Sequence, residues 1–344
     1  MQNYRTSTRQ SRIYLDHNAT TPLSELMHER WSDLFHVFGN PSSIHQDSRL
    51  PKAFLREARQ KLAQYLKVSP LEIVFNSGAS EGNNTVLTSV WNYLKNEKPE
   101  MLVSTVEHPS VIKTAEYLKT LGAIVHWIPV DRSGHIDLKF IEDNLSSKTC
   151  LVSVMLANNE TGSLFPLQKI SQLARQAGAL IHSDCVQMLG KYHCDFSQLN
   201  LDYATFSAHK FYALKGTGAV YIKKNSPWTP LIHGGGQERG RRGGTENVLG
   251  VASLSIALDL LTQVEVKIQK MTQLRDLMET EILKSIKGVQ ITAADSLRIS
   301  NTSSLVIDGV DGETLLMSLD MKGFSVSTGA ACSSGNPEPS PVLM

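Results

Sequence analysis

Short apolar runs of strand-forming residues alternate with longer helical patterns through the first three quarters of this 344-residue chain. Such alternation predicts an α/β fold in which helices cover both faces of a mainly parallel sheet. The predicted strands are Ile73–Phe75, Met101–Ser104, Ile124–Ile128, Leu151–Leu156, Leu180–His182, Tyr203–Phe206 and Gly218–Ile222. The clearest predicted helices between them are Lys52–Leu66, Glu81–Leu94, Ser110–Leu121 and Leu167–Ala177. Ligands of such sheets bind at the carboxyl ends of the strands, so polar residues there are candidate site residues.

A change in composition follows this pattern. Gly234–Gly244 is rich in glycine and arginine, and a long helical pattern then runs from about Val248 to Ile286. The elements predicted after it are a strand, a helix and a short strand, at Ser304–Ile307, Gly312–Met321 and Phe324–Ser327. We therefore expect a large domain over residues 16–262 and a smaller α/β domain formed by residues 1–15 and 263–344.

Composition favours a small-molecule partner. The net charge of +1 gives no field that would attract nucleic acid or an anionic membrane. The longest nearly apolar stretch, Leu249–Leu261, is interrupted by polar residues and is too short to span a bilayer. The N-terminus lacks the apolar core of a secretory signal, and the four cysteines show no CxxC spacing. We expect a cytoplasmic protein that binds neither nucleic acid nor membrane and has no resident metal.

Two polar stretches directly follow predicted strands, Asp184-Cys185-Val186-Gln187 and Ser207-Ala208-His209-Lys210. Pyridoxal phosphate chemistry requires a carboxylate that pairs with the pyridine nitrogen and a lysine that forms an imine. A carboxylate in the position of Asp184 favours the protonated ring by roughly 1–3 pKa units. Taken alone, Asp184 is equally compatible with a helix cap and Lys210 with a surface lysine.

Three further stretches could complete such a site, although each has a purely structural alternative. Ser77–Glu81 opens a helix and could bind a phosphate, or could simply cap that helix. His108 could stack on an aromatic ring and transfer protons, or could be a capping or surface histidine. Asn158–Gly162 could present amides to a ring oxygen or a carboxylate, or could be a turn.

With these motifs the chain resembles the cysteine desulfurases of the NifS/IscS type, in the class V aminotransferase family of fold-type I pyridoxal phosphate enzymes. The resemblance spans nearly the whole chain, and its motifs occur in the family's order. They are Tyr14–Pro22, Phe38–Ser43, Asn158–Gly162, Ser207–Lys210, His233–Thr245 and Ser327–Ser334. The resemblance implies a large domain whose mainly parallel, seven-stranded sheet is sandwiched by helices, together with a smaller α/β domain.

The resemblance also implies a place for each cofactor-binding residue. Lys210 would hold pyridoxal 5'-phosphate as an imine, His108 would stack on the ring, and Asp184 would contact the pyridine nitrogen. Lys215 also has a family counterpart, but only Lys210 has a histidine and a strand end before it. The residues implied around the ring oxygen and the phosphate are Gln187, Asn159, Ala79, Ser80, Ser207 and His209. Thr245 would reach the phosphate of a neighbouring subunit, which implies a homodimer.

The implied reaction removes sulfur from L-cysteine, giving L-alanine and a persulfide on Cys332. Small residues flank Cys332, as suits a nucleophile on a mobile loop, although a cysteine can also be a small buried apolar residue. A thiol is only a few per cent ionised at pH 7, so a proton acceptor such as His108 would assist it. Asn40 and Asn159 would contact the substrate. A sulfur-acceptor protein, an iron–sulfur scaffold or a tRNA-thiolation carrier, would follow, and Cys332 could transiently ligate an iron–sulfur cluster.

Three alternatives stay open: a selenocysteine lyase, a class V enzyme acting on another amino acid, and a non-catalytic member of the family. The C-terminus keeps the last one open. Only twelve residues follow Cys332, and the last arginine is Arg298, whereas the family supplies an arginine for the substrate carboxylate beyond the cysteine loop. We therefore expect an incomplete small domain and weakened turnover.

Overall fold

The computed structural model describes residues 12–329 and Val342. The strands, in chain order, are β1 (Ile13–Tyr14), β2 (Ile73–Asn76), β3 (Glu100–Ser104), β4 (Ile124–Ile128), β5 (Thr149–Ser153), β6 (Leu180–Asp184), β7 (Tyr203–Ser207), β8 (Gly218–Ile222), β9 (Val289–Ile291), β10 (Leu305–Ile307) and β11 (Phe324–Ser325). The helices are α1 (Glu25–Glu29), α2 (Trp31–Phe35), α3 (Arg49–Leu66), α4 (Ala79–Leu94), α5 (Pro109–Thr120), α6 (Leu138–Asn144), α7 (Leu167–Gln176), α8 (Phe196–Leu199), α9 (Val248–Asp259), α10 (Val264–Ser285) and α11 (Gly312–Met321).

The central sheet has seven strands in the order β2-β8-β7-β6-β5-β3-β4. Only β8 runs antiparallel to its neighbours β2 and β7, and every other pairing in this sheet is parallel. The carboxyl ends of β2, β3, β5, β6 and β7 therefore lie at one edge, where β8 begins. This arrangement confirms the α/β fold with a mainly parallel seven-stranded sheet.

Apolar side chains on the two faces of the sheet belong to two separate cores. Leu102 of β3 packs into a core that includes Leu62 of α3 and Ile170 of α7. Its neighbours on β3, Met101 and Val103, face the other way into a core built with α4 and α5. Because successive strand residues point to opposite faces, a strand buried on both sides needs a continuous apolar run. Helices therefore cover both faces, as the sequence predicts.

Some element boundaries differ from those predicted. Strand β5 ends at Ser153, three residues before the predicted end, because the chain then turns toward a bridge between Ala157 and Leu164. Strand β6 continues two residues further than predicted, and its last residue, Asp184, pairs with Thr205 of β7. The longer β6 carries the Asp184 side chain to the carboxyl edge of the sheet.

The stretch from α9 to α10, Val248–Ser285, is long and apolar enough to cross a membrane by length and composition alone. It is longer than the apolar stretch predicted from the sequence, because a short 3₁₀ turn at Leu260–Gln263 joins the two helices. Every residue from Gly250 to Leu258 is buried, and α9 packs against α3. Burial in the protein therefore accounts for the apolar character of α9.

The remaining elements form two small pairings outside the central sheet. Strands β9 and β10 are antiparallel neighbours, and β1 lies parallel to β11 beside α11. The β1–β11 pair joins residues about 311 positions apart in the chain (324 − 13). Residues 12–16 therefore contact the segment near residue 324 before the chain crosses to the large sheet.

A buried histidine in β6 links stability to pH. His182 is fully buried, its Nδ1 lies 2.8 Å from Ser153 Oγ, and burial lowers its pKa to about 3. The histidine of an unfolded chain titrates near pH 6.5. Below that pH the unfolded chain therefore binds a proton at His182 that the folded chain does not bind. Stability attributable to His182 is present above about pH 6.5 and is lost as pH falls toward the folded pKa, by about 2 kcal/mol at pH 5.

Replacing His182 with asparagine is therefore expected to flatten the fall in the free energy of unfolding between about pH 7 and pH 5. Urea unfolding of both proteins at the two pH values measures this slope. His45→Asn, at an exposed histidine, is the matched control and should keep the wild-type slope. An unchanged slope in His182→Asn would show that other groups carry the acid sensitivity.

Candidate active site

A cavity of about 350 Å³ lies at the carboxyl edge of the central sheet. The side chains and backbone that line it come from the segments after β1, β2, β5, β6 and β7, from the starts of α4 and α5, and from the turn before β8. The lining residues are Ala19, Ser77, Gly78, Ala79, Ser80, Glu81, His108, Met155, Ala157, Asn159, Asp184, Val186, Gln187, Ser207, His209, Lys210, Lys215 and Gly216. The structure thus brings most of the predicted site residues to one cavity.

Lys210 presents a buried amine to this cavity. It ends a short 3₁₀ turn after β7, and only 8% of the residue is exposed. Its Nζ donates to the backbone oxygens of Asn18 and Ala19, at 2.5 and 2.8 Å. These carbonyls belong to the turn after β1, which lies across the cavity. Lys215 also lines the cavity but is exposed, so the two lysines differ sharply in environment.

Asp184 presents a buried carboxylate on the same edge. It is 5% exposed, its Oδ1 accepts from the Val186 backbone at 3.0 Å, and its Oδ2 accepts from Asn83 Nδ2 at 2.8 Å. These two bonds fix the direction of the carboxylate. A buried carboxylate held in this way is suited to a cationic N–H group in the cavity.

His108 combines the two roles that the sequence left open. It is the N-cap of α5, where its Nδ1 accepts from the Ser110 backbone at 3.1 Å, and its side chain also lines the cavity. Burial lowers the pKa of His108, while the Asp184 carboxylate raises it and the Lys210 ammonium lowers it. The net direction is downward, so the imidazole is neutral at neutral pH.

The N-terminus of α4 lies beside Ser207 at the cavity. Its N-cap, Gly78, has φ +148° and no side chain to occupy the first N–H groups of the helix. A Cβ on Gly218 would come within 2.5 Å of Gly78 Cα, so the glycine there permits the close approach of β8 to this turn. A helix N-terminus with free N–H groups and small residues is suited to a phosphate.

Gln187 lies on the wall of the cavity beside a buried lysine that sequence analysis missed. Gln187 Nε2 is 3.3 Å from the Asn18 carbonyl oxygen, and Lys191 Nζ donates to Gln187 Oε1. Burial, with a smaller contribution from Lys210, lowers the pKa of Lys191 to about 7. Lys191 therefore holds the amide so that its NH₂ group faces the turn after β1. The i, i+4 spacing from Gln187 was the one sequence signal for it.

Two predicted residues, Asn40 and Thr245, do not line this cavity, and a third is not among the described residues. Asn40 is exposed, its Oδ1 accepts from the Ser42 backbone at 2.8 Å, and it does not line the cavity. Thr245 is exposed after the Gly/Arg-rich loop and does not line the cavity of its own chain. Cys332 lies outside the described residues. The other predicted cofactor residues all line the cavity: Ala79, Ser80, His108, Asn159, Asp184, Gln187, Ser207, His209 and Lys210.

A buried amine, a buried carboxylate, a neutral imidazole and a helix N-terminus around one cavity at a sheet edge define a class of protein. That class is the pyridoxal phosphate-dependent enzymes of fold type I. The residues present fit the cofactor, because each of its ionic groups has a partner of the right chemistry on a different wall of the cavity.

Comparison with known proteins identifies the family. The aminotransferase class-V family matches residues 13–343, and the chain belongs to it. The cysteine desulfurase IscS of Dictyoglomus turgidum is 39% identical over 96% of this chain and 84% of its own length. A solved NifS-like protein superposes with a TM-score of 0.89 at 35% identity, covering 93% of this chain and 88% of that one. A solved SspA in complex with cysteine gives 0.83 at 29%, covering 96% and 93%. The resemblance to this family and its pyridoxal phosphate cofactor are confirmed.

Proposed function

We propose that this chain is a cysteine desulfurase that converts L-cysteine to L-alanine and leaves the sulfur on Cys332 as a persulfide. The observation that carries the proposal is the convergence of Lys210, Asp184 and His108 on one cavity. The match with the desulfurase IscS over nearly the whole chain supports the choice of substrate.

Residues on different walls of the cavity would hold different parts of the cofactor. Lys210 Nζ would attach it, Asp184 would keep its pyridine nitrogen protonated, and His108 would cover one face of its ring. When bound, pyridoxal phosphate withdraws electrons from the α-carbon of the substrate. Lys210 Nζ would be the group that moves the proton at that carbon.

Polar groups at the two ends of the cavity position the cofactor. The backbone of Ala79 and Ser80 at the start of α4, with Ser207 and His209, would hold the phosphate. Gln187 and Asn159 would contact the ring oxygen, and Asn159 would also contact the substrate. Asn40, which is exposed in the single chain, would join the substrate site from its own loop.

The environments of the other cysteines support Cys332 as the sulfur acceptor. Burial raises the pKa of Cys150 to about 12 and of Cys194 to about 11, and it raises the pKa of Cys185 well above the ordinary value. These thiols are poor nucleophiles near neutral pH because little thiolate forms. In the proposed step the Cys332 thiolate attacks the substrate sulfur. A sulfur–sulfur bond forms while the carbon–sulfur bond of the substrate breaks. The electron pair of the broken bond stays on the carbon, which takes a proton to give alanine.

We also propose a homodimer in which Thr245 reaches the phosphate site of the partner. Thr245 is exposed, and four large apolar side chains between residues 35 and 50 are exposed as well. They are Phe35 at 65%, Phe38 at 84%, Ile44 at 99% and Leu50 at 51%. The buried bidentate pair of Arg59 and Glu238 fixes the Gly/Arg-rich loop that leads to Thr245. A second copy would cover this apolar surface.

The holoenzyme is therefore expected to sediment as a dimer. The double variant Phe38→Glu, Ile44→Glu should shift it toward monomer, because two carboxylates would be buried without partners at the interface. Loss of the partner's Thr245 should weaken cofactor retention at the same time. Sedimentation velocity with absorbance detection of the cofactor measures both. A wild-type monomer with full cofactor occupancy would contradict the dimer.

Three finer points complete the proposal. The chain divides into a large domain, residues 16–262, and a small domain formed by residues 1–15 and 263–344.

The persulfide sulfur passes to an acceptor protein, either an iron–sulfur scaffold or a tRNA-thiolation carrier. The reaction takes place in the cytoplasm, where thiols stay reduced; Cys150, Cys185 and Cys194 are free in the described part of the chain.

The function is tested by incubating purified holoenzyme with L-cysteine and dithiothreitol and by measuring alanine and sulfide. We expect the two products in equal amounts. Selenocysteine turned over much faster than cysteine would indicate a selenocysteine lyase. Alanine formed from an amino acid without sulfur would indicate another class V activity, and no product from any of them would indicate a non-catalytic member.

A further inference from the structure

A continuous chain of hydrogen bonds joins Asp184 to His108 behind the wall of the cavity. Its links are the side chains of Asn83 and Ser110, which do not line the cavity themselves. Asn83 Nδ2 lies 2.8 Å from Asp184 Oδ2 and 2.9 Å from Ser110 Oγ. Ser110 Oγ in turn lies 2.8 Å from His108 Nδ1. The two residues that face opposite parts of the cofactor are thus connected.

Asn83 sets which atoms donate and which accept along this series of hydrogen bonds. An ionised carboxylate only accepts hydrogen bonds, so the amide NH₂ of Asn83 must face Asp184. The amide oxygen faces the other way and accepts from Thr205 Oγ1 at 2.6 Å. Asn83 is fully buried, so its amide has no water to bond in another orientation. The second N–H of the same NH₂ group is left to donate to Ser110.

The direction continues through Ser110 to His108. Because Ser110 Oγ accepts from Asn83, its own proton is free to point at His108 Nδ1. The backbone N–H of Ser110 donates to the same nitrogen at 3.1 Å, and a backbone N–H can only donate a hydrogen bond. Nδ1 therefore carries a lone pair, and in the neutral ring the proton resides on Nε2.

We propose that Ser110 and Asn83 are positioning residues that hold His108 as the neutral Nε2–H tautomer. His108 then offers the cavity a hydrogen-bond donor. This inference deepens the proposed function and rests on it for the place of His108 at the cofactor. It also predicts that resting His108, with Nδ1 occupied and Nε2 protonated, does not accept the thiol proton of Cys332, which differs from the expectation given by the sequence.

The charges around His108 are compatible with a neutral ring. Two charged groups act on the pKa of His108. Asp184, at the end of β6, raises it, and Lys210, after β7, lowers it. Glu107, the preceding residue, is buried, and burial followed by the charge of Asp184 raises its pKa well above the ordinary value, against a hydrogen bond from the Met155 backbone that lowers it. Forming the imidazolium would place a proton on Nδ1 against two donors from Ser110.

The tautomer is measured by ¹⁵N NMR of the holoenzyme labelled at histidine. The His108 resonances are those missing from His108→Gln. We expect an unprotonated Nδ1 and a protonated Nε2 near neutral pH. Ser110→Ala removes the hydroxyl donor that favours the neutral ring, so the His108 titration should move to higher pH. Ser110→Thr keeps a hydroxyl at the same position and should restore the wild-type titration.

Two results would overturn the proposal. One is a wild-type His108 that is the Nδ1–H tautomer or an imidazolium near neutral pH. The other is a titration that Ser110→Ala leaves unchanged, or that it changes without rescue by Ser110→Thr. Both readouts are taken without substrate, so they are independent of the alanine and sulfide assay. A failed tautomer prediction in an active desulfurase is thereby distinguished from a failure of the function itself.

Discussion

Replacing Lys210 with alanine is expected to abolish desulfurase turnover, with a loss of about 10³-fold or more. The variant removes both the amine that attaches the cofactor and the group that moves the α-proton of the substrate. No neighbouring group can replace it, because Lys191 is held by Gln187 and Lys215 is exposed at the cavity rim. Alanine formation from L-cysteine, measured at saturating cofactor, gives the size of the loss.

The matched control for this experiment is Lys210→Arg. A guanidinium keeps a positive charge and donors for the carbonyls of Asn18 and Ala19, to which Lys210 Nζ donates. It cannot attach the cofactor or act as a base near neutral pH, because its pKa stays above about 12. We expect Lys210→Arg to be folded, with the thermal stability of the wild type, and inactive. Activity in Lys210→Arg would mean that Lys210 has only a structural role.

Replacing Cys332 with serine is expected to abolish persulfide formation while leaving cofactor binding intact. A hydroxyl is far less ionised and less nucleophilic than a thiol near neutral pH, so it cannot attack the substrate sulfur at a useful rate. The variant leaves every predicted cofactor residue that lines the cavity unchanged, so the absorbance of the bound cofactor should not change. Mass spectrometry after a single exposure to L-cysteine, without reductant, detects the added sulfur.

Cys194→Ser is the matched control for Cys332→Ser. It makes the same chemical change at a half-buried cysteine with a raised pKa, outside the cavity. We expect this variant to form the persulfide as the wild type does. A full yield of persulfide in Cys332→Ser would refute the assignment of the acceptor, and one of the remaining cysteines would then be the nucleophile.

The parts of the site that were predictable are those carried by strand ends. Asp184 and Lys210 follow apolar runs that are buried on both faces of the sheet, and such runs are visible in the sequence. Because parallel strands end at one edge, two residues after neighbouring strands had to lie close together. The family resemblance then supplied their chemical roles, and the cavity includes nine of the cofactor residues it implied, from Ala79 to Lys210.

The parts that were missed depend on contacts between distant segments. Asn83 lies within α4 and Lys191 in a loop after β6, where an asparagine and a lysine carry no local signal of burial. Each has a partner that is distant in the sequence: Asn83 donates to Asp184, 101 residues further along the chain, and Lys191 donates to Asn18, 173 residues before it. The pairing of β1 with β11 and the carbonyls that the turn after β1 gives to Lys210 have the same origin. Periodicity cannot encode such contacts.

The most direct test of the account is to reduce the holoenzyme with borohydride and to map the labelled peptide. The account places the cofactor on Lys210, a buried lysine that lines the cavity. A single labelled peptide that contains the cofactor on Lys210, and none from Lys210→Arg treated in the same way, is the predicted result. Label on Lys215 or Lys191, or a protein that retains no cofactor at all, would contradict it.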